Sequence, residues 1–589
     1  MGQQQLIPVT QIALFDTVEL DVPVVAAVER SFQEKVALAT ASIKALVLAG
    51  HHLVVAWSAG KDSSVTLALA FAALRELIAA GHNVPTLHII HSDTLIENPA
   101  ISSYAKRQIK SIEHYSEFSG IAARVWVASP GLSNDYLVSL LGGRTIASVG
   151  ANARCQQMMK AAPLTRIKRE VRRWVGEATG VPAKKADLVS LIGTRFDESA
   201  QRKRMMEERG ESATEAVEAM GDGELVMSPI AGWTAMDVFE YIGNVRSGKL
   251  ECYDRFDDLV EVYRDMNGGD CMVTAYLANK EQEKAPCSAR TGCYACGRVS
   301  RDASAESMLA HEDGKFAWMK PLNDFRNYLM ARHFDPTARC WLGRTVDEET
   351  GRIQITPNSY SPAFTLELLG IALTVQVRER IAARKAGVAP RFTMLTLKQV
   401  IAIDLLWARY GYQKPWTALR TYLAVYREGK RFRIPDVAAL PKFTEKDVAF
   451  RAEAPFADDQ YDGMFSGLRN IDWAAADCED LTTTSSGKYV TRVEVGNEFD
   501  IDEEGLALFV EFEMEYALSR ISLDDSPSAV VHYLLGLGTV QLFKGSHSEW
   551  DRMLKMSSQI FRSGLQPYLH DPQVLMTKMG GDARAYSLV

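Results

Sequence analysis

The chain has 589 residues, of which 47% are hydrophobic and 24% charged, with a formal net charge of −8. That is more chain than one core organises, so two to four domains are expected. The composition is that of an ordinary soluble globular protein, and no apolar run approaches the roughly 20 residues that span a bilayer.

The first apolar candidate, "ALVLAGHHLVVAW", is broken by Gly50, His51 and His52. The opening "MGQQQLIPVTQIALFD" has no basic stretch before its apolar residues, as a signal peptide would. It also lacks the serine or threonine that favours N-myristoylation. A cytoplasmic protein without a membrane partner is expected. In that compartment the eight cysteines point to metal binding or chemistry rather than structural disulfides. Charge is unevenly spread. Residues 151–210 hold 14 Lys/Arg against 7 Asp/Glu, and residues 441–530 hold 7 against 21. A basic middle and an acidic C-terminal part can serve different partners, although a solvated helix face explains the basic stretch equally well.

Taken in chain order, "HLVVAW" (52–57) is short, apolar and β-prone, which fits a buried parallel strand. Residues 65–80 place Val65, Leu67, Leu69, Phe71, Leu74, Leu77 and Ile78 among alanines and read as a largely buried helix. Between them "SAGKDSS" lies at a helix N-terminus, where unpaired amides and the helix dipole favour an anion. Ser63 and Ser64 add hydroxyls and Lys61 a cation, so the turn is suited to phosphate. A Walker A loop is excluded: Val55 stands where its first glycine belongs, and Lys61 is followed by Asp62.

"PTLHIIHSDTLIENP" (85–99) reads as a second strand ending in Asp93, Thr94 and Glu97. "RVWVASP" (124–130) reads as a third. "DLVSLIGTRFDESAQRKRM" (187–205) reads as a fourth, ending in Gly193, Arg195, Asp197, Glu198, Ser199 and Arg202. Ligands of doubly wound sheets sit beyond the carboxyl ends of such strands. There Arg195 and Arg202 suit phosphate oxygens, while Asp93 and Glu97 suit a sugar, an adenine or Mg²⁺. Cys155 stands among Arg154, Lys160 and Arg166, a basic setting that favours a thiolate; a small buried hydrophobe is the plainer alternative. Cys271, Cys287, Cys293 and Cys296 are spaced C-x₁₅-C-x₅-C-x₂-C. Four thiolates so close in sequence fit a tetrahedral S₄ site or an iron–sulfur cluster, and spacing alone does not separate zinc from iron. Cys252, Cys340 and Cys478 look incidental. Farther on, 362–385 and 396–411 read as helices, 414–435 as a helix with a basic end, and "ADCEDLTTTSSGKYV" as a loop. Residues 500–522 read as an acidic amphipathic helix, and 527–565 as two more apolar segments.

The 58–64 turn resembles the PP-loop of ATP pyrophosphatases, S-G-G-x-D-S. Ser58, Gly60, Asp62 and Ser63 match it, and Ala59 stands where glycine is usual. Alanine does not take positive φ as cheaply as glycine. With "GTRFDESAQR" and "PIAGWTAMDVFEYI", residues 40–245 resemble the phosphoadenosine-phosphosulfate reductase branch of that superfamily. "ARCQQMMKAAPL" is similar to that branch's C-(C)-x-x-x-K-x-x-P-L pattern at Cys155, Lys160, Pro163 and Leu164, with Gln156 in place of a second cysteine. "CSARTGCYACGRVSRDAS", "LNDFRNYL" and "GRIQITPNSYSPAFTLELLGIAL" extend the likeness to the Dnd-type and Ssp-type DNA phosphorothioation sulfurtransferases.

The resemblance implies an α/β fold: a doubly wound parallel-sheet, Rossmann-like PP-loop domain of the adenine nucleotide alpha hydrolase type. A cysteine-rich cluster region and a mainly α C-terminal part would follow. The expected divisions are an N-terminal extension (1–40), the PP-loop domain (41–245), the cluster region (246–335), a helical family-specific region (336–440) and an acidic, mainly helical domain (441–589). The implied chemistry is cleavage of ATP to AMP and pyrophosphate with Mg²⁺. It would activate a DNA phosphate for replacement of a non-bridging oxygen by sulfur. The sulfur would come from a cysteine desulfurase, alongside other subunits of a phosphorothioation complex. Catalytic roles would fall to Lys61, Asp62, Cys155, Arg195 and Arg202. Nucleotide binding would fall to Ser58, Ala59, Gly60, Lys61, Asp62, Ser63, Ser64, Asp93, Thr94, Glu97, Gly193, Arg195 and Glu198. A [4Fe–4S] cluster would be held by Cys271, Cys287, Cys293 and Cys296. The competing readings are a sulfonucleotide reductase or other small-molecule sulfur enzyme, and a non-catalytic ATP-sensing subunit of a defence complex.

Overall fold

The computed structural model describes residues 30–149, 154–218, 223–266, 292–442, 497–543 and 545–581, with short pieces at 452–456, 467–469, 472, 481–483 and 489–491. Chain order in the first part alternates strand and helix. Helix α1 (Phe32–Leu48) opens on a Ser31–Glu34 capping box and packs against α2. Strand β1 (His52–Trp57) runs into α2 (Lys61–Ala79), β2 (Leu87–Ser92) into α3 (Pro99–Ser119), and β3 (Ala123–Ala128) into the short buried helix α4 (Tyr136–Leu141). Next come a helical turn α5 (Arg154–Gln156), a π-helical turn (Gln157–Ala161) and α6 (Ala162–Thr179). Strand β4 (Leu188–Ile192), α7 (Ala200–Glu208), β5 (Val217–Glu218), β6 (Leu225–Met227), α8 (Ala235–Arg246) and α9 (Asp257–Met266) complete the series.

The strands form one six-stranded sheet ordered β3-β2-β1-β4-β6-β5. All neighbours are parallel except β5, which pairs antiparallel with β6 at the edge. Strand β1 is central, with Val55 opposite Ile89 on one side and Leu191 on the other. Its side chains alternate between two cores, as the two-residue period of a strand requires. Leu53, Val55 and Trp57 join α1, α2, α3 and α8, while Val54 joins Ile90, Ile167, Val171 and Val175 from the α6 side. Helices therefore cover both faces, which is the doubly wound arrangement expected. The order reverses between β1 and β4, so their carboxyl ends bound the crevice where such folds take ligands.

A second core begins inside this domain. It joins Ile96 and α4 to Tyr294, Ala295 and residues from Leu322 to Met576. Helix α4 is the link: the Trp407 indole N–H donates to Leu141 O (2.8 Å) and Gln399 Nε2 donates to Asp135 (2.8 Å). This core is helical around a small sheet. Strand β7 (Arg339–Val346) pairs antiparallel with β8 (Arg352–Tyr360), which pairs with β9 (Ala452–Pro455). The long helix Pro362–Lys385 starts at the Ser361 cap, and Leu397–Tyr410 starts at a Thr396–Gln399 capping box.

Three expectations are corrected here. The stretch read as a loop at 476–490 takes part in an antiparallel pair, Leu481–Thr483 with Tyr489–Thr491; threonine, tyrosine and valine fit a pleated backbone. The stretch 414–435, read as a helix with a basic end, is helical over Thr417–Tyr426: Trp416 at φ 60° sets its start, since no helix passes through that conformation, and the basic residues 427–435 follow outside the helix. The acidic helix expected over 500–522 begins at Glu503, after the strand Phe499–Ile501, and passes through a π-helical turn at Phe509–Glu513.

Candidate nucleotide and thiol site

The phosphate turn closes β1 and opens α2. Gly60 is the N-cap of the helix and has no side chain to cap it, so the first-turn amides are left to partners from outside the turn. The loop is tied from within by serines. Ser63 Oγ accepts from Ser58 N (3.1 Å) and donates to Gly60 O (3.0 Å), and Ser64 Oγ accepts from the Trp57 indole (3.1 Å). Ala59 is buried and takes φ 59°, the left-handed conformation that costs an L-residue with a Cβ roughly 1–2 kcal/mol.

Gly193, at the carboxyl end of β4, approaches the same turn. A Cβ there would lie 2.8 Å from Asp62 C, Asp62 O and Ser63 N. Only glycine lets β4 and the start of α2 meet at this distance.

Charges surround Asp62. Lys61 Nζ lies 2.7 Å from its Oδ2, and Arg195 Nε 2.6 Å from its Oδ1. Arg195, only 3% exposed, also reaches Asp197 Oδ2 at 3.4 Å. Two cations thus share the first carboxylate of α2, and Asp197 offsets the second of them, so the charges at this helix N-terminus are paired. Arg202 pairs instead with Glu198 one turn before it and is partly exposed. Both arginines therefore face carboxylates here, Arg195 inside the loop and Arg202 at the rim.

At the end of β2, Asp93 Oδ1 accepts from Leu95 N (2.9 Å), and Leu95 takes φ 64°. Thr94 is fully buried. Burial pushes the Glu97 carboxyl above the usual range, opposed by Lys160, whose Nζ lies 3.8 Å away. Asp93 and Glu97 line a cleft of about 740 Å³ that also takes in Lys106, Tyr294, Arg391 and Lys398.

The same Glu97 leads to the cysteines. It forms a backbone bridge with Cys293, and Tyr294 N donates to Ile96 O (3.0 Å). Cys296 N donates to Cys293 O (2.9 Å), closing a tight turn that brings the C-x-x-C pair together. Cys155, whose N–H donates to Ser148 Oγ (3.3 Å), is near enough to influence the Cys293 thiol electrostatically. Burial first, then Glu97 and Cys296, push that thiol up to about 12. A bound cation reverses this preference, since a coordinating thiol gives up its proton. Cys271 and Cys287 lie outside the described residues, and no group of three or more His, Cys, Asp or Glu among the described residues is placed to hold a metal ion. The close-turned pair at Cys293 and Cys296 fits half of a thiolate site.

Residues without a motif complete the site. Tyr263 of α9 accepts from Lys61 N (3.3 Å), so a hydroxyl 202 positions away occupies one amide of the phosphate turn. His91 packs at a tilt against Trp57, and burial holds its ring below the usual histidine range. Glu211, buried, accepts from Thr194 Oγ1 (3.0 Å) and Ser228 Oγ (2.8 Å), steadying the β4 exit. None of these carries a local pattern; the tyrosine in an otherwise amphipathic helix is the only visible sign of Tyr263.

These features define an α/β PP-loop domain. Residues 52–255 match the family described as phosphoadenosine phosphosulfate reductase domain. No curated protein matches the chain. The matched span runs from β1 to just before α9 and contains the phosphate turn, Cys155 and the β4 exit. The Cys293–Cys296 turn lies outside it. No helix among the described residues is long and apolar enough to cross a membrane.

Proposed function

We propose that the chain is an ATP-dependent sulfurtransferase that cleaves ATP to AMP and pyrophosphate and activates a DNA backbone phosphate for replacement of a non-bridging oxygen by sulfur. The observation that carries the reading is the Cys293–Cys296 turn, bridged to Glu97 just past β2, the strand beside β1 and its phosphate turn, with Cys155 tied to Ser148 where the next residue bridges Gly297. In this reading the triphosphate lies along the first-turn amides of α2, with Lys61 and Arg195 facing the charge that develops on pyrophosphate. Mg²⁺ would be held from the Asp93 and Glu97 side. Asp62 holds the two cations in place until the triphosphate arrives. Adenylation makes a phosphate oxygen a leaving group: the outer sulfur of a Cys155 persulfide, formed by a cysteine desulfurase, would attack phosphorus as AMP leaves, and a second thiol would then cleave the S–S bond, leaving the phosphorothioate and a disulfide that an external thiol reductant restores. Cys271, Cys287, Cys293 and Cys296 would hold a [4Fe–4S] cluster, which supplies redox or sulfur-handling chemistry when bound. Other subunits of a DNA-modifying complex would present the DNA.

The test is incubation of anaerobically purified protein with ATP and Mg²⁺, with and without DNA, followed by pyrophosphate measurement. DNA-stimulated pyrophosphate release is expected. ADP and orthophosphate as sole products would overturn the reading. A second reading, reduction of a sulfonucleotide, is favoured by the family matched at 52–255 together with Cys155 standing near the C-x-x-C turn. Sulfite released from phosphoadenosine phosphosulfate would select it.

A further inference from the structure

Arg326 lies on the helix Lys320–Ala331 and is 1% exposed. Its guanidinium donates through Nε to Cys296 O (3.1 Å), through Nη1 to Ser300 O (3.3 Å) and Asn327 Oδ1 (2.9 Å), and through Nη2 to Val299 O. Every acceptor is neutral, and among the described residues no carboxylate reaches it. Two other buried arginines are neutralised, Arg195 by Asp62 and Asp197 and Arg409 by Glu498 and Glu549, while Arg339 donates to His333 O and lies over the Tyr360 ring. Burying a cation is unfavourable unless an anion stands nearby. The hydrogen bonds of Arg326 shape the loop, but they leave its charge unbalanced.

The loop in question leaves the C-x-x-C turn. Arg326 gathers three of its carbonyls, those of Cys296, Val299 and Ser300. The opposite side is fixed as well. Val149 bridges Gly297, and a Cβ on Gly297 would lie 2.8 Å from Ser148 O. The turn carrying Cys293 and Cys296 is thus held between the guanidinium and the 148–149 backbone, with Cys155 bonded to Ser148 beside it.

We propose that Arg326 is a positioning residue for an anionic thiolate centre at Cys293 and Cys296. It holds the turn by three carbonyls and supplies the buried positive charge that balances the thiolates. This rests on the metal–thiolate part of the proposed function. Such outer partners commonly govern metal affinity by tenfold or more, and a nearby cation raises a centre's reduction potential by favouring the more negative, reduced state.

The experiment uses full-length protein, loaded anaerobically with ferrous iron and sulfide or, separately, with zinc. Arg326→Gln and Arg326→Lys are compared with the unsubstituted chain. Metal per chain, midpoint potential and far-ultraviolet circular dichroism are recorded. Arg326→Gln is expected to bind metal at least tenfold more weakly and to show a more negative potential in whatever iron centre remains. Arg326→Lys, which keeps the charge, is expected to restore metal content. Arg326→Gln that is folded and matches the unsubstituted chain in metal and potential overturns the proposal alone. If Arg326→Gln fails to fold, the lysine variant decides: full metal content supports the proposal, and a folded, metal-poor lysine variant overturns it. An unsubstituted chain that takes up neither iron nor zinc overturns the metal reading and this proposal together.

Discussion

Ala59 offers a direct measurement of how much strain the phosphate turn stores. It sits at φ 59° with 5% exposure. Glycine there removes strain of roughly 1–2 kcal/mol. Against that stand about 0.5–1 kcal/mol of extra chain entropy in the unfolded state and about 0.8 kcal/mol for the buried methyl. Ala59→Gly should therefore leave stability within about 1 kcal/mol of the parent. Ala68, 2% exposed in α2, is the control. Ala68→Gly loses the same methyl and adds about 1 kcal/mol of lost helix propensity with no strain to relieve. Its expected loss is about 2 kcal/mol. Urea unfolding of the two variants, followed by circular dichroism, reads the difference directly. Ala59→Val, with a branched Cβ at the same φ, should lose more than about 2 kcal/mol and weaken ATP binding. If Ala59→Gly destabilises as much as Ala68→Gly, the turn is not strained as argued.

Three further outcomes are expected. Gly193→Ala drives a Cβ to within 2.8 Å of the Asp62 and Ser63 backbone, so ATP binding measured by calorimetry should fall at least tenfold; unchanged affinity would show that the turn can shift freely. Tyr263→Phe frees the Lys61 amide, so ATP should bind severalfold more tightly, and weaker binding would mean that the hydroxyl contacts the ligand instead. His333 is buried against Tyr360 Oη (2.7 Å), and burial lowers its pKa to about 4. The unfolded ring takes up a proton near its ordinary value of 6.5. The folded state therefore binds fewer protons between those values, and stability is present above pH 6.5 and lost as pH falls toward 4. The slope is at most about 1.4 kcal/mol per pH unit. Urea unfolding at pH 7 and pH 5 should show a smaller pH effect in His333→Gln than in the parent, and equal effects would refute the assignment.

The phosphate turn was legible because its chemistry is local. An apolar strand, a glycine cap and a run of helix formers sit within thirty residues of one another, and each states its conformation through its own backbone preferences. The β4 exit was legible for the same reason, down to Gly193, although its purpose was not. The spacing of Gly193 and Arg195 said that they belong together; only packing revealed that the glycine admits the backbone of Asp62 and that the arginine neutralises that residue's carboxylate. Arg202 shows the limit from the other side, since its neighbour one turn earlier, Glu198, takes up the guanidinium. The strand pair at 481–483 and 489–491 was missed because the Thr-Ser-Gly run between them reads as a loop, and pairing between the two short flanks is not written in either one.

What the sequence by itself determined is the alternation of strand and helix, the anion-binding start of α2, and the grouping of the last two cluster cysteines in one tight turn. Periodicity, caps and breakers act over a few residues, so neighbours suffice to specify them. What only the tertiary structure decided is which distant groups meet: Tyr263 at the Lys61 amide, the 148–149 backbone that holds Cys155 at Gly297, and Arg326 beneath the C-x-x-C loop. Those meetings follow from the order of strands in the sheet and from helix α4 anchoring one core in the other. Both come from the packing of whole surfaces, and no short stretch of residues encodes them.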